Sequence, residues 1–342
     1  MRPSLLFLIF GFLLSCNHQE KRKPFTAVEI EIIFEDSLSI RAIEIMGNSL
    51  AFAADKGVFG TIDLRTGKLR SNIQRFDTIV PEFRAVGHTA NDFFMLSVGN
   101  PALLYKTGDH GGMDLVYKEE GEGVFYDAMA FWNDTEGIAF GDSMADCLSI
   151  IVTRDGGFTW SKLPCSQLPA ALENEGAFAA SNTNIKTMGD QVWIGTSGGR
   201  ILYSPDKGRH WEVFKTPIRQ QELTEGIYSI DFYDQNLGFA IGGDYTDPEN
   251  KIANKVATVD GGKTWKIMAD QLAPGYQSCI RFLPNGEGRE LLSTGFTGIY
   301  YTIDSGNHWK KLSSEPFYTF RPLNDSVAYA AGRNRIAKLL FR

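Results

Sequence analysis

One eight-residue phrase is written four times along this chain: "TRDGGFTW", "SPDKGRHW", "TVDGGKTW" and "TIDSGNHW". Each copy has Ser or Thr two residues before an Asp, Gly two after it and Trp five after it. The pairs are Asp155 and Trp160, Asp206 and Trp211, Asp260 and Trp265, and Asp304 and Trp309. A fifth, worn copy, "TGDHGGMD", keeps Asp109 and Gly111 but has Asp114 in place of the Trp. From Asp109 onward the Asp spacings are 46, 51, 54 and 44 residues. Recurrence at this period marks a repeat architecture, in which each unit buries its apolar faces only against its neighbours. The residue types fit a tight turn. An Asp carboxylate accepts backbone N–H groups, Gly supplies positive φ, and the Trp past the turn folds back into an apolar layer. The phrase is therefore read as a structural corner and not as chemistry.

With the corners aligned, the intervening segments fall into register. First strands are expected at "SIRAIEIM", "EFRAVGHT", "FYDAMAFW", "GAFAASNT", "GIYSIDFY", "YQSCIRFL" and "FYTFRPLN". Second strands are expected at "SLAFAA", "DFFMLSVG", "EGIAFGD", "QVWIGTSGG", "LGFAIGGD", "RELLSTG" and "SVAYAAG". Seven units of four short strands predict an all-β fold, a seven-bladed β-propeller. The 35 glycines and the lack of a long 3.6-residue periodicity agree with many turns and few helices. The seventh unit ends at "RNRIAKLLFR", one strand short, while "AVEIEIIFED" is left over at the start. Pairing the two closes the ring and removes the exposed sheet edges.

The first 15 residues, "MRPSLLFLIFGFLLS", read as an export signal, because the apolar run is too short to span a bilayer. Residues 16–26 form a polar tether and 27–342 the propeller. Cys147 and Cys165 flank the Asp155 turn almost symmetrically, so they could pair across one hairpin in an oxidising compartment. Two buried thiols are the alternative. The net formal charge of −7, with no basic block, argues against a nucleic-acid partner.

The corners resemble the Asp-box, the bacterial neuraminidase repeat of sialidase-type and many non-enzymatic propellers. The stretch from "FYDAMAFW" through "TRDGGFTW" and "YSPDKGRHW" to "GFAIGGDY" is similar to the group that includes the photosystem II stability and assembly factor and its non-photosynthetic relatives. The likeness covers roughly residues 38–340. Likewise "LLSC" resembles the bacterial lipoprotein box, which implies cleavage before Cys16 and lipidation of that cysteine; an ordinary cleaved signal is the alternative. Together these resemblances imply a monomeric, lipid-anchored, extracytoplasmic protein in the cell envelope. It would act as a binding or assembly scaffold for a protein partner or envelope component; a purely structural surface protein is another alternative.

Strand order places the candidate site. Starts of the first strands and the loops joining second to third strands ring one mouth of the central channel, opposite the Asp corners. Arg41, Arg84, Asp127, Ser229 and Ser278 sit at those strand starts. The loops add Asp142, Asp146, Asp244, Tyr245, Arg333 and Arg335, and Glu175 lies in the connector before the fourth unit. Arginines at a mouth suit an anionic group, because the guanidinium presents a two-pronged fork; an internal salt-bridge network is the alternative. A sialidase-like glycoside hydrolase would use Tyr245 as nucleophile, Glu175 as its activator and Asp127 as acid, outside the two-carboxylate scheme. Against it, Phe83-Arg84 is followed by Ala85-Val86 where sialidases carry Phe-Arg-Ile-Pro, and a third arginine is missing. No cofactor is expected, since there is no G-x-G-x-x-G joining strand to helix. No metal is expected either, because the five histidines are scattered. The acidic loop with Asp244, Asp247, Glu249 and Asn250 offers oxygen ligands but reads as a solvated insert.

Overall fold

The structure, a computed structural model, describes residues 23–109, 111–144 and 146–342. Cys16 and the signal lie outside these residues. Seven antiparallel sheets follow one another in chain order around a central axis, making a β-propeller. Blade 1 holds Ala42–Met46, Ser49–Ala53, Val58–Asp63 and Leu69–Ile73, and blade 2 holds Phe83–His88, Phe93–Ser97, Ala102–Thr107 and Met113–Glu119. Blade 3 is Tyr126–Phe131, Gly137–Met144, Cys147–Thr153 and Ser161–Lys162; blade 4 is Ile185–Met188, Gln191–Gly195, Arg200–Ser204 and Glu212–Lys215. Blade 5 comprises Ile227–Phe232, Gly238–Gly242, Lys255–Thr258 and Lys266–Ile267, and blade 6 Cys279–Phe282, Leu291–Gly295, Gly298–Thr302 and Lys310–Ser313.

Blade 7 closes the ring. Thr319–Pro322 pairs with the first part of the long strand Val327–Phe341, whose later part pairs with Val28–Ser39 from the start of the fold. The long strand turns back on itself at Arg333-Asn334. Asn334 has φ 67°, and the Phe341 amide reaches the Ser326 carbonyl at 2.8 Å. The closing register runs from Val28 opposite Phe341 to Ser39 opposite Arg333. Phe25 is 4% exposed and packs against Tyr301 and Phe341 at centroid distances of 4.8 and 5.3 Å. Burying that ring contributes about 1.5–3 kcal/mol.

Apolar clusters lie between blades and not within them. One joins Phe94, Leu96 and Leu104 of blade 2 to Met129, Ala139, Ile151 and Trp160 of blade 3. Second strands such as Phe93–Ser97 are buried along their whole length, because a neighbouring blade covers each face. Outer strands such as Leu69–Ile73 are exposed throughout.

The corners show why the phrase needs its residues. Asp155 Oδ1 accepts the Thr159 amide at 3.0 Å and the Thr153 hydroxyl at 2.9 Å, and Thr153 Oγ1 accepts the Gly157 amide at 2.9 Å. Asp260 repeats the pattern with Thr264 and Thr258. Trp211, Trp265 and Trp309 each donate Nε1–H to the carbonyl of their own corner glycine, at 3.1, 2.8 and 3.1 Å. The second glycine has a further duty. Gly157 has φ 83°, and a methyl group on it would overlap the Phe94 ring of the preceding blade. Gly306 stands in the same relation to Phe239. In the worn copy, Thr107 Oγ1 turns to Asp92 at 2.7 Å instead of to Asp109.

A disulfide joins Cys147 to Cys165, and Cys279 is a buried free thiol. One strand expectation fails. "GAFAASNT" is not the innermost strand of blade 4; that strand is Ile185–Met188, and residues 176–184 are irregular.

Candidate functional site

The displaced segment crosses the central channel. Asn182, at φ 57°, donates Nδ2–H to the Val86 carbonyl at 2.8 Å and accepts the Met129 amide at 2.9 Å, so it ties blades 2 and 3. Thr183 donates to Ser229 Oγ at 2.7 Å, and its carbonyl accepts the Ile230 amide of blade 5 at 2.8 Å. Ser181 donates to the Ser278 carbonyl at 2.6 Å, and its own carbonyl accepts the Thr319 hydroxyl of blade 7 at 2.9 Å. Ser181, Asn182, Thr183 and Asn184 are all buried. A polar strand-like sequence survives at the hub because its polar groups find partners on the surrounding blades.

Above this segment, on the mouth opposite the Asp corners, lies a cavity of about 410 Å³. Ala177, Phe178, Ala179 and Ala180 contribute to its lining, together with Arg41, Arg84, Asp142 and Tyr245. An aromatic run follows its wall. Phe178 stacks on Tyr228 at 3.7 Å, Tyr228 meets Tyr276 at 4.8 Å, Tyr276 meets Phe296 at 5.1 Å, and Phe296 meets Tyr318 at 6.3 Å. The Arg41 guanidinium closes the run, 4.1 Å from the Tyr318 ring centre. Tyr228 spends its hydroxyl on the Thr224 carbonyl at 2.7 Å.

The two arginines differ. Arg84 is paired with Glu82, 2.7 Å through Nε and 2.6 Å through a terminal nitrogen. Arg41 has no carboxylate within ion-pair distance among the described residues, and its Nε is buried without a hydrogen-bond partner. Burial first, and then the charge of Arg84, lower its pKa. An anion placed here would relieve both effects.

Two carboxyl groups stand behind the arginines. Asp142 accepts the Ala177 amide at 3.0 Å, and burial pushes its pKa up. Asp127 is wholly buried, and neither carboxyl oxygen has a hydrogen-bond partner of good geometry among the described residues. Burial, and then the neighbouring Asp142, raise its pKa well above the ordinary carboxylate value.

The remaining candidates are placed elsewhere. Glu175 has a buried carboxylate held by Arg200, with Nε at 2.9 Å, and by the Thr196 hydroxyl at 2.6 Å; it does not line the cavity. Ser229 and Ser278 belong to the hub network beneath. Asp244 caps its own loop by accepting the Thr246 amide at 2.8 Å and hydroxyl at 2.7 Å. Arg333 is exposed, away from the lining, and Arg335 pairs with Glu315 at 2.8 Å. Tyr245, Glu175 and Asp127 therefore do not form a nucleophile, activator and acid: Arg200 holds the second and burial isolates the third.

Sequence reasoning missed Phe178, Tyr228, Tyr276, Phe296 and Tyr318. Phe178, Tyr228, Tyr276 and Tyr318 fall inside segments expected as innermost strands, where an aromatic reads as blade core, and Phe296 lies in the loop between the second and third strands of blade 6.

No family model matches the chain, and no curated protein matches it. Solved structures with the same fold include a YCF48 bound to a D1 peptide, with TM-score 0.63 and 11% identity, covering 93% of this chain and 96% of that one. YCF48 from Cyanidioschyzon merolae is similar too, with TM-score 0.62 and 11% identity over 93% and 99% of the two chains. The WD40 repeats of RRP9 superpose with TM-score 0.67 at 10% identity, over 93% and 100%. At such identities the likeness shows the fold, and function must be argued from the site.

Proposed function

We propose that this propeller is a binding scaffold whose cavity receives an anionic segment of a protein partner. The observation that carries the reading is Arg41: a guanidinium against the Tyr318 ring, with no carboxylate within ion-pair distance among the described residues, in a cavity walled by aromatic rings. Buried cations are ordinarily paired, and arginine on an aromatic face keeps its fork free for a carboxylate. That a YCF48 of similar fold has been solved with a peptide bound supports a polypeptide ligand for this one.

The same proposal holds the chain in the cell envelope, outside the cytoplasm, by a lipid on Cys16, acting as a monomer. Val28–Ser39 enters the disc on the face opposite the cavity, since its far end, at Ser39, leads straight into Arg41. An anchor upstream of Val28 would therefore leave the cavity facing away from the bilayer.

A photo-cross-linking amino acid in place of Tyr245, in the full chain within its native envelope, tests the reading. A discrete protein adduct is expected, at least ten-fold weaker with Arg41→Ala and unchanged with Arg333→Ala. Equal adducts from Arg41→Ala and the parent would sink the proposal. Membrane fractionation tests the anchor: Cys16→Ala should leave the membrane pellet.

A further inference from the structure

Beside the cavity, three loops from blades 4 to 6 expose large aliphatic side chains. Leu223 is 82% exposed, Leu272 55% and Ile252 46%. They lie in the connector before blade 5, the connector before blade 6, and the loop between the second and third strands of blade 5. Backbone bonds stitch these loops into one unit. The Arg219 amide donates to the Ala253 carbonyl at 2.8 Å, the Gln271 amide to the Lys251 carbonyl at 3.2 Å, and the Ala253 amide to Asp270 Oδ1 at 2.8 Å. Tyr245 and Phe296, 46% and 40% exposed, both line the cavity and are partly open to solvent.

Holding this unit still is costly. Ala253, Ala269 and Gln271 have φ of 45°, 43° and 58°, a region that non-glycine residues occupy under strain. Lys255 is fully buried, and its ammonium donates to Asn254 Oδ1 at 2.5 Å and to the Leu272 and Pro274 carbonyls at 2.9 Å each. Burial lowers its pKa to about 8. A buried ammonium satisfied by carbonyls is an expensive fastener for a solvent loop. It makes sense where the loop must present a fixed surface, because a surface ordered beforehand loses less entropy on binding.

We propose that Leu223, Ile252 and Leu272 form a rigid apolar shelf that docks apolar side chains of the polypeptide whose anionic group enters the Arg41 cavity. The inference rests on the binding reading above and deepens it. The partner segment carries Leu, Ile or Phe side chains on one side of an acidic group, the charge over blades 1 and 2 and the apolar residues over blades 4 to 6. Lys255 acts as a positioning residue. Tyr245 and Phe296 join the two subsites, so one extended segment can reach both.

Random-peptide display against the full chain, its Arg41→Ala variant and its Leu223→Ser/Leu272→Ser variant tests this. Exposed substitutions of this kind usually leave stability within about 0.5 kcal/mol, so the double variant should fold. The parent is expected to enrich peptides combining Asp or Glu with Leu, Ile or Phe at a fixed spacing. The double variant should bind the same peptides at least ten-fold more weakly and lose the apolar preference while keeping the acidic one. An unchanged consensus with affinity within two-fold would overturn the shelf. Acidic peptides without apolar preference from the parent would sink the shelf and leave the cavity reading intact, and apolar peptides without acidic residues would sink the cavity reading together with the joint site that rests on it. Enrichment of neither class would sink both. Cosedimentation of the Cys16→Ala chain with phosphatidylglycerol vesicles, abolished by Leu223→Ser, would overturn it in favour of a lipid surface.

Discussion

Asn182, in the connector that leads into blade 4, donates a 2.8 Å hydrogen bond to the Val86 carbonyl of blade 2, 96 residues earlier in the chain. The same side chain accepts the Met129 amide of blade 3. One amide therefore satisfies buried backbone groups on two blades, the neighbouring blade 3 and the more distant blade 2.

Removing it should be felt globally. Asn182→Ala leaves a buried carbonyl and a buried amide without partners, at about 1–3 kcal/mol each, and places alanine at φ 57°. Urea unfolding should show a loss of about 2–5 kcal/mol. A loss below about 1 kcal/mol would mean that water replaces the side chain and that the crossing segment is not a fastener.

The corner glycines permit a controlled comparison. Gly157 and Gly111 occupy the same place in the phrase and have φ of 83° and 78°. A methyl group on Gly157 meets the Phe94 ring, whereas one on Gly111 meets nothing within 4 Å. Gly111→Ala should cost about 1–2 kcal/mol from backbone strain alone. Gly157→Ala should cost a further 1–3 kcal/mol from overpacking between blades. Equal losses in thermal unfolding would show that backbone conformation alone selects the glycine.

Asp127 makes a pH-dependent prediction. Burial favours its neutral form in the folded chain, whereas in the unfolded chain it ionises above about pH 3.9. The native state then binds a proton that the unfolded state has released, so this group lowers stability as pH rises above about 4. Asp142, pushed up by the same burial, titrates with it, and the Arg84 charge opposes the shift. Asp127→Asn should therefore gain stability relative to the parent as pH rises from 3 to 7, as followed by urea unfolding across that range. Parallel stability curves from pH 3 to 7 would show that Asp127 is charged in the native state.

Blade count, ring closure and corner placement were legible in the sequence because each follows from local spacing. A period near 50 residues sets the number of sheets, and a leftover strand at one end with a missing strand at the other sets the closure. The face carrying Arg41 and Arg84 follows from strand order alone. What only the tertiary structure decided is what fills the hub and which charges remain open. "GAFAASNT" has the small and apolar residues of an innermost strand, yet it crosses the channel, because Ser181, Asn182 and Thr183 find partners on distant blades that no local pattern encodes. Glu175 and Arg41 looked alike as charges at a mouth. Arg200, 25 residues from Glu175, closes the first, and among the described residues no carboxylate reaches the second. Sequence spacing fixes hydrogen bonds within a turn or a hairpin, whereas pairing across a ring depends on where seven sheets bring their edges together.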